Sequence, residues 1–317
     1  MRDLRIVFMG TPDFAVASLD ALVKAGKNVV GVITAPDRPA GRGRKLKQSA
    51  VKEYAVNNDI AVLQPTNLKD EAFLEELKGL NANLQVVVAF RMLPEVVWRM
   101  PEYGTFNLHA SLLPAYRGAA PINWAIINGE TKTGATTFFI DEKIDTGEII
   151  DQEELEIGAI ENAGSLHDRL MNMGSELLLK TVNNIEAGEV ETKPQPKAEQ
   201  TQTAYKLTRE NTKVEWSWPT TKIFNLIRGL SPYPSAWCML NNGEKDEMVK
   251  IYDVEIVDSS EHKIENPGTI KVENNSLFVS TADGILKIIE MQLPGKRKMK
   301  VKDMLNGYDF NAGAMLL

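Results

Sequence analysis

Along the first half of the chain, short apolar runs alternate with stretches in which apolar residues return every three or four positions. Leu4–Met9 (LRIVFM) is such a run and ends at Gly10 and Pro12, while Phe14–Ala25 carries apolar residues at helical spacing. This predicts a strand followed by a helix. The pattern recurs in Val29–Thr34 followed by Ser49–Asn57, and in the valine-rich Leu84–Phe90 that follows the helical Lys69–Lys78. Strands apolar at nearly every position, alternating with helices, belong to a parallel sheet covered on both faces. The first turn, MGTPDF, lacks the second and third glycines of GxGxxG, so no pyrophosphate cradle is predicted.

A long helical stripe follows between Asn162 and Ala187, carried by Leu166, Leu170, Met173, Leu177, Leu178, Val182 and Ile185, with Gly188 placed where a helix would end. The next residues, ETKPQPKAEQTQTAYK, have two prolines and almost no apolar content, which reads as a linker. Beyond Leu207 the pattern changes to short alternating segments: Val249–Val257, Gly268–Val272, Leu277–Thr281 and Ile285–Met291. Turn-forming ENPG, ENN and ADG separate the later ones, and a helix over Thr221–Leu230 precedes them. These features predict a small antiparallel barrel. The expected division is therefore residues 1–188, a linker over 189–206, and residues 207–317.

Composition adds bounds. A chain of 317 residues is long enough for two domains. No apolar run approaches the ~20 residues that span a bilayer, so a cytosolic protein without a membrane segment is expected. Cys238 is the only cysteine, which excludes an internal disulfide and any multi-cysteine metal site. Lying between Ala236 and Met239, it reads as a small core residue. The net charge of −7 argues mildly against a polyanionic partner. Local runs oppose that average: Arg38, Arg42, Arg44, Lys45 and Lys47 crowd one glycine-containing loop, and Lys296, Arg297, Lys298, Lys300 and Lys302 another segment. Either run alone is as readily a solvated face; two in separate domains suit one polyanion gripped from both.

With three histidines the search for chemistry is short. His167 sits beside Asp168 on the amphipathic helix and His262 in a polar loop, and both read as surface residues. His109 follows Asn107 by two positions in FNLHASLLPAYRG, so on an extended strand both side chains project the same way, from the end of a buried strand where α/β sheets place ligands. A strand histidine taken alone is more often a hydrogen-bonded core residue. A second segment, FFIDEKIDTG, ends an apolar strand at Ile140 and turns through Asp141, Asp145 and Gly147. Either aspartate is a plausible plain turn former; Asp145 is also placed to return its carboxylate toward the His109 strand. An amide, an imidazole and a carboxylate together suit acyl transfer to an amine. The amide donates to a tetrahedral oxyanion, the imidazole accepts the amine's proton, and the carboxylate orients it. Ser111 lacks a GxSxG elbow, so a structural role, with Pro114 fixing its loop, is favoured over a nucleophilic one.

FNLHASLLPAYRGAAPINWAIING followed by IDTGEI resembles the folate-dependent formyltransferases, whose signature joins an N-x-H pair, an SLLP loop and a downstream D-x-G. The resemblance implies a Rossmann-like α/β catalytic domain with a mostly parallel sheet, and a small OB-like β-barrel domain after it. It implies formyl transfer from 10-formyltetrahydrofolate to an amine, with catalytic roles at Asn107, His109 and Asp145 and no metal. It also implies folate contacts from Phe90, Arg91, Met92 and Leu93, from Ser111, Leu112, Leu113 and Pro114, and from Asp141. Many members carry tyrosine and glycine where this chain has Phe90 and Arg91. TAPDRPAGRGRKLK, LIRGLSPYPSAW and GKRKMK resemble segments of those members that act on a charged initiator tRNA. They imply tRNA contacts from Arg38, Arg42, Arg44 and Lys45, with Arg42 foremost, and from Lys296, Arg297 and Lys298. Trp216 and Trp218 are possible tRNA contacts but suit domain packing better. A cytoplasmic monomer is expected.

Overall fold

The computed structural model describes residues 1–40, 45–196, 202–243, 245–258 and 263–317. Arg42, Arg44 and His262 lie outside the described residues. Two compact units are present. One comprises Met1–Gly118, Thr133–Leu155 and His167–Thr203; the other comprises Ala119–Lys132, Glu156–Leu166 and Ala204–Leu317.

In chain order the first part of the fold runs β1 (Ile6–Gly10), α1 (Asp13–Lys24), β2 (Val29–Ile33), β3 (Arg38–Ala40), β4 (Lys45–Lys47), α2 (Ala50–Asn57), β5 (Val62–Leu63), α3 (Glu71–Gly79), β6 (Leu84–Val88), α4 (Glu95–Trp98), β7 (Thr105–His109), β8 (Arg117–Gly118), α5 (Pro121–Ile127), β9 (Lys132–Phe139), β10 (Ile149–Glu156) and α6 (Ala163–Ala187). The main sheet has the order β10-β9-β7-β6-β1-β2-β5. Strands β5, β2, β1, β6 and β7 are parallel, and β9 runs antiparallel to β7. Because the chain places β2 and β5 on one side of β1 and then β6 and β7 on the other, the strand order reverses beside β1. Ligands of open α/β sheets bind at such a switch, outside the carboxyl ends of the strands.

The apolar runs become strands because both sheet faces are covered. Every residue of β1 and of β6 is buried. The polar residues ahead of two helices act as caps: the Ser49 hydroxyl accepts from the Lys52 amide and the Asp70 carboxylate from the Phe73 amide, each at 3.1 Å. Gly10 is required by proximity, since a Cβ there would lie 2.6 Å from that of Ala15 at the start of α1. The basic stretch read as a loop contains a hairpin, β3 paired with β4 through Arg38↔Lys47 and Pro39↔Leu46. Its base is tied down by Asp37, which accepts from Lys52 (2.6 Å) and Gln64 (2.8 Å); these bonds, Gln64's first, hold the Asp37 carboxyl below its ordinary pKa.

The second unit contains β11 (Thr203–Ala204), α7 (Thr220–Leu230), β12 (Ala236–Asn241), β13 (Asp246–Val257), β14 (Ile270–Glu273), β15 (Ser276–Ser280), β16 (Ile285–Gln292), β17 (Met299–Lys300), α8 (Val301–Met304) and β18 (Met315–Leu316), β11 lying at its boundary. Its sheet runs β14-β15-β16-β13-β12-β18, with β17 on β16. The two ends of this order meet: Leu316 N donates to Gly268 O (2.9 Å) and Ile270 N to Ala314 O (3.3 Å), closing a small barrel. Trp216, Cys238, Val249, Leu286 and Met291 are buried in its core, and burial pushes the Cys238 thiol up to about 12. Helix α5 joins this unit by packing on α7, where Gly229 lies so near that a Cβ would be 2.6 Å from Ile127. Among the described residues no helix is long and apolar enough to cross a membrane.

Gly268 has φ +86°, and a Cβ there would lie 2.1 Å from the Leu316 carbonyl oxygen. Gly268→Ala should therefore open the barrel seam. The backbone conformation alone sets a loss of about 1–3 kcal/mol, measurable by calorimetry as a lowered transition for the barrel unit. An unshifted transition would mean that the seam does not hold the barrel.

Candidate active site

The site is built on the carboxyl end of β7. Its alternation buries Phe106 and Leu108 and leaves Asn107 half-buried, with His109 buried at 7% exposure. Among the described residues the Asn107 amide has no hydrogen-bond partner from the protein.

The His109 ring is held from both sides. Nε2 lies 2.8 Å from the Tyr116 carbonyl oxygen. A carbonyl only accepts, so Nε2 carries the hydrogen, and in the neutral ring Nδ1 is the basic nitrogen. Nδ1 faces Asp145 Oδ2 at 3.9 Å, beyond hydrogen-bond length but within ion-pair range. A proton taken at Nδ1 thus arrives beside a carboxylate. Asp145 Oδ2 in turn accepts from Gly118 N at 2.9 Å. The turn that presents Asp145 is closed by Gly147, where a Cβ would fall 1.7 Å from the Phe139 carbonyl oxygen. Asp145 has φ +55° and Tyr116 φ +57°.

The SLLP segment forms a braced loop. The Ser111 hydroxyl donates to Ala115 O at 2.7 Å, and so serves the loop's own backbone. The Thr136 hydroxyl, buried on β9, donates to Ser111 O (2.6 Å) and accepts from Leu113 N (3.1 Å) and from Gln152 Nε2 (2.9 Å). Leu113 is buried, Leu112 and Pro114 are half-buried, and the Leu113–Pro114 bond is cis. Leu112 occupies the space left by Gly134, where a Cβ would lie 2.5 Å from its side chain. Asp141 acts within its turn, accepting from Thr146 Oγ1 (2.7 Å) and Lys143 N (3.0 Å).

Residues 90–93 diverge from one another. Phe90 packs on the core that holds Leu93, while Met92 is 73% exposed. The Arg91 guanidinium turns to the carbonyls of Thr66 and Pro65. Partial desolvation, then the nearby Arg38 charge, holds its pKa below the ordinary guanidinium value. Arg91, Met92 and Leu93 line an open cleft of about 960 Å³ together with Thr66–Lys69, Pro94–Val96 and Arg99. The cleft includes neither the Ser111–Pro114 loop nor Asn107, His109 or Asp145. The trio and the SLLP loop thus leave the carboxyl end of β7, and residues 90–93 leave that of its neighbour β6.

Among the basic residues, Arg38 is exposed on the hairpin, and only the backbone of Lys45 is described. Lys296 and Arg297 are exposed, whereas Lys298 is paired with Glu290 at 2.8 Å and lies over the Tyr252 ring. His167 lies edge-on to Phe14 and 3.0 Å from Asp168. Among the described residues no group of three or more His, Cys, Asp or Glu is placed to hold a metal ion. Sequence reasoning overlooked Tyr116 and Gly118, which complete the surroundings of His109, although both stand in the quoted FNLHASLLPAYRG; a conformation, which residue type does not reveal, gives them their roles.

Comparison with known proteins places this geometry. Residues 4–182 match the family model described as formyl transferase, and residues 206–309 that of the formyl transferase C-terminal domain. The methionyl-tRNA formyltransferase of Flavobacterium johnsoniae is 57% identical over 311 residues, 98% of each chain. That of Flavobacterium psychrophilum is 55% identical over the whole of both. Among solved structures, HypX from Aquifex aeolicus in complex with tetrahydrofolic acid superposes with a TM-score of 0.65 at 17% identity, over 96% of this chain. This chain spans about half of HypX (47%), and at that identity the likeness is one of fold.

Thr136 is fully buried, and its hydroxyl carries two bonds to the SLLP loop and a third to Gln152. Thr136→Val should leave the Leu113 amide without a partner and cost about 1–3 kcal/mol, read from denaturant unfolding. A change below about 0.5 kcal/mol, the ordinary surface range, would show that the loop is braced otherwise.

Proposed function

The chain belongs to the formyl transferase family, and from that premise we propose that it transfers the formyl group of 10-formyltetrahydrofolate to the α-amino group of methionyl initiator tRNA, yielding formylmethionyl-tRNA for translation initiation. The observation that carries this reading is the 57% identity, across 98% of both chains, to a methionyl-tRNA formyltransferase. A scaffold likeness to HypX bound to tetrahydrofolic acid supports a folate donor.

In this reading the amine attacks the formyl carbon, and the Asn107 amide donates to the oxyanion that forms. Preorganised donors aimed at such an oxygen are among the largest contributions to acyl transfer. His109 takes the amine's proton at Nδ1, the nitrogen that the Tyr116 carbonyl leaves basic. Asp145 stabilises the imidazolium, and the same proton then goes to the departing folate nitrogen. No covalent enzyme intermediate is needed, which agrees with a Ser111 hydroxyl already committed to Ala115. Residues 1–188 carry the chemistry, 189–206 connect, and 207–317 hold tRNA.

Folate meets Leu112, Leu113 and Pro114, with Phe90, Leu93, Ser111 and Asp141 around them and Arg91 and Met92 at the margin. The tRNA is held by Arg38, Arg42, Arg44 and Lys45 and by Lys296, Arg297 and Lys298. The enzyme works as a cytoplasmic monomer without metal.

The test is formyl transfer to charged initiator methionyl-tRNA, with uncharged tRNA and free methionine as parallel acceptors. Product on the charged tRNA alone is expected; product on free methionine, or none, would overturn the assignment. His109→Ala should lower kcat by about 10²–10⁴, the range of general acid–base catalysis, with tRNA binding little changed. Ser111→Ala should stay within about tenfold, and a larger loss would reinstate a nucleophilic serine.

Arg42→Ala should weaken tRNA binding and reduce the slope of log K against log salt by about 0.7–0.9, one phosphate contact. An unaltered slope would remove Arg42 from the RNA interface.

A further inference from the structure

The segment after α6 reads as a polar connection, yet its described residues are fastened to the first unit at Thr192, Lys193, Gln195 and Gln202. Ile149 N and Lys193 O, and Lys193 N and Ile149 O, form a reciprocal pair at 2.8 Å each. Thr192 Oγ1 donates to the Glu148 carboxylate. One residue farther on than Pro194, the Gln195 amide nitrogen donates to both the Asp145 carbonyl (2.9 Å) and the Gly147 carbonyl (2.8 Å). Its amide oxygen accepts from Arg117 Nη2. Gln202 O accepts from Tyr116 N at 2.6 Å.

These bonds reach both partners of the catalytic imidazole. Tyr116 supplies the carbonyl on Nε2 and Asp145 the carboxylate opposite Nδ1. Both residues have positive φ, a backbone state that persists only where surrounding bonds over-determine it. Gln195 provides such bonds at one end: it ties the backbone of Asp145 and of Gly147 to Arg117, the residue between Tyr116 and Gly118. Gln195 is uncharged; what it supplies is two donors and one acceptor in a fixed arrangement.

We infer that Gln195 is a positioning residue for formyl transfer, acting through Asp145 by fixing the Asp145–Gly147 turn against the Arg117 strand so that the carboxylate faces His109. The inference rests on the reading of His109 and Asp145 as the proton-handling pair. Removing the two donors lets the turn drift, and misplacement by about 1 Å at such a group costs on the order of 10²-fold in rate.

Two variants separate the atoms involved. Gln195→Leu removes donors and acceptor; Gln195→Glu keeps an acceptor for Arg117 but removes both donors. Both should lower kcat about 10- to 100-fold with little change in KM for the charged tRNA, and both should fold with wild-type cooperativity. The decisive measurement is the double variant with Asp145→Ala. If Gln195 acts through Asp145, adding Gln195→Leu to Asp145→Ala should lower kcat by less than about twofold more, since residues that act as a unit are non-additive. A full additional loss would overturn the inference, as would wild-type kcat in Gln195→Glu.

A second readout needs no acceptor. The Gly118 amide, which donates to the Asp145 carboxylate, should exchange with solvent at least about tenfold faster in Gln195→Leu, while amides of β6 keep the global protection of the unit. Unchanged Gly118 exchange would sink the proposal even if the wild-type enzyme proved to formylate some other amine.

Discussion

A buried imidazole must have both of its nitrogens provided for, and the arrangement around His109 follows from that constraint. At 7% exposure the ring is largely withdrawn from bulk water. The Tyr116 carbonyl satisfies one and fixes the tautomer; the Asp145 carboxylate stands by the other without binding it. The ring is held closely at Nε2 (2.8 Å) and only approached at Nδ1 (3.9 Å), and the proposed role as a base rests on that difference. Were both nitrogens closely bonded, the ring would be a structural post. Leaving Nδ1 with a carboxylate in ion-pair range, but with no donor committed to it, gives a base whose charged form has its counter-ion already in place.

Satisfying that ring asks a good deal of the backbone. Left-handed residues other than glycine occur at eight described positions, and most are Asp or Asn, whose short polar side chains tolerate the conformation. Tyr116 and Ala89 have no such excuse. Ala89 follows β6 and Tyr116 belongs to the loop after β7, so both belong to segments that leave carboxyl ends of the central parallel strands. Strain of this kind, about 1–3 kcal/mol per residue, collects where a chain must turn sharply to aim main-chain groups. Here one of the groups so aimed is the carbonyl that sets the imidazole tautomer.

Much of this was legible in the sequence, and what was not has a common cause. Strands β1 and β6 are apolar at almost every position because both faces are covered, so they announced themselves. Asn107 and His109 were paired by the period of two of a strand, and Asp145 by its place in a turn after an apolar run. The hairpin at Arg38–Lys47 was read as a loop because its strands are three residues long, charged and interrupted by Pro39, and carry no alternation. Strand β18, two residues long, closes the barrel by backbone bonds on both edges, with Leu316 buried in the core. The attachment of α5 to the barrel unit depends on Gly229 admitting Ile127, a fit between residues about a hundred positions apart. In each case the missing information is a backbone or packing contact that leaves no apolar periodicity behind.

The acidic balance of the chain poses a separate question for the proposed reaction, in which a polyanion would approach a protein of net charge −7. Average charge matters little within a Debye length of about 8–10 Å; what matters is which cations keep their charge uncompensated at the surface. Lys298 spends part of its field on Glu290 at 2.8 Å, so it contributes less than its place in GKRKMK suggests. Arg38 and Arg91 illustrate the opposite case. Arg38 is close enough to help hold down the Arg91 pKa, and the Arg91 partners are uncharged carbonyls. A guanidinium oriented by neutral acceptors keeps its full charge while losing the freedom to turn away. A charge fixed in this way acts on an approaching anion from one point instead of being spread over a mobile lysine-rich face.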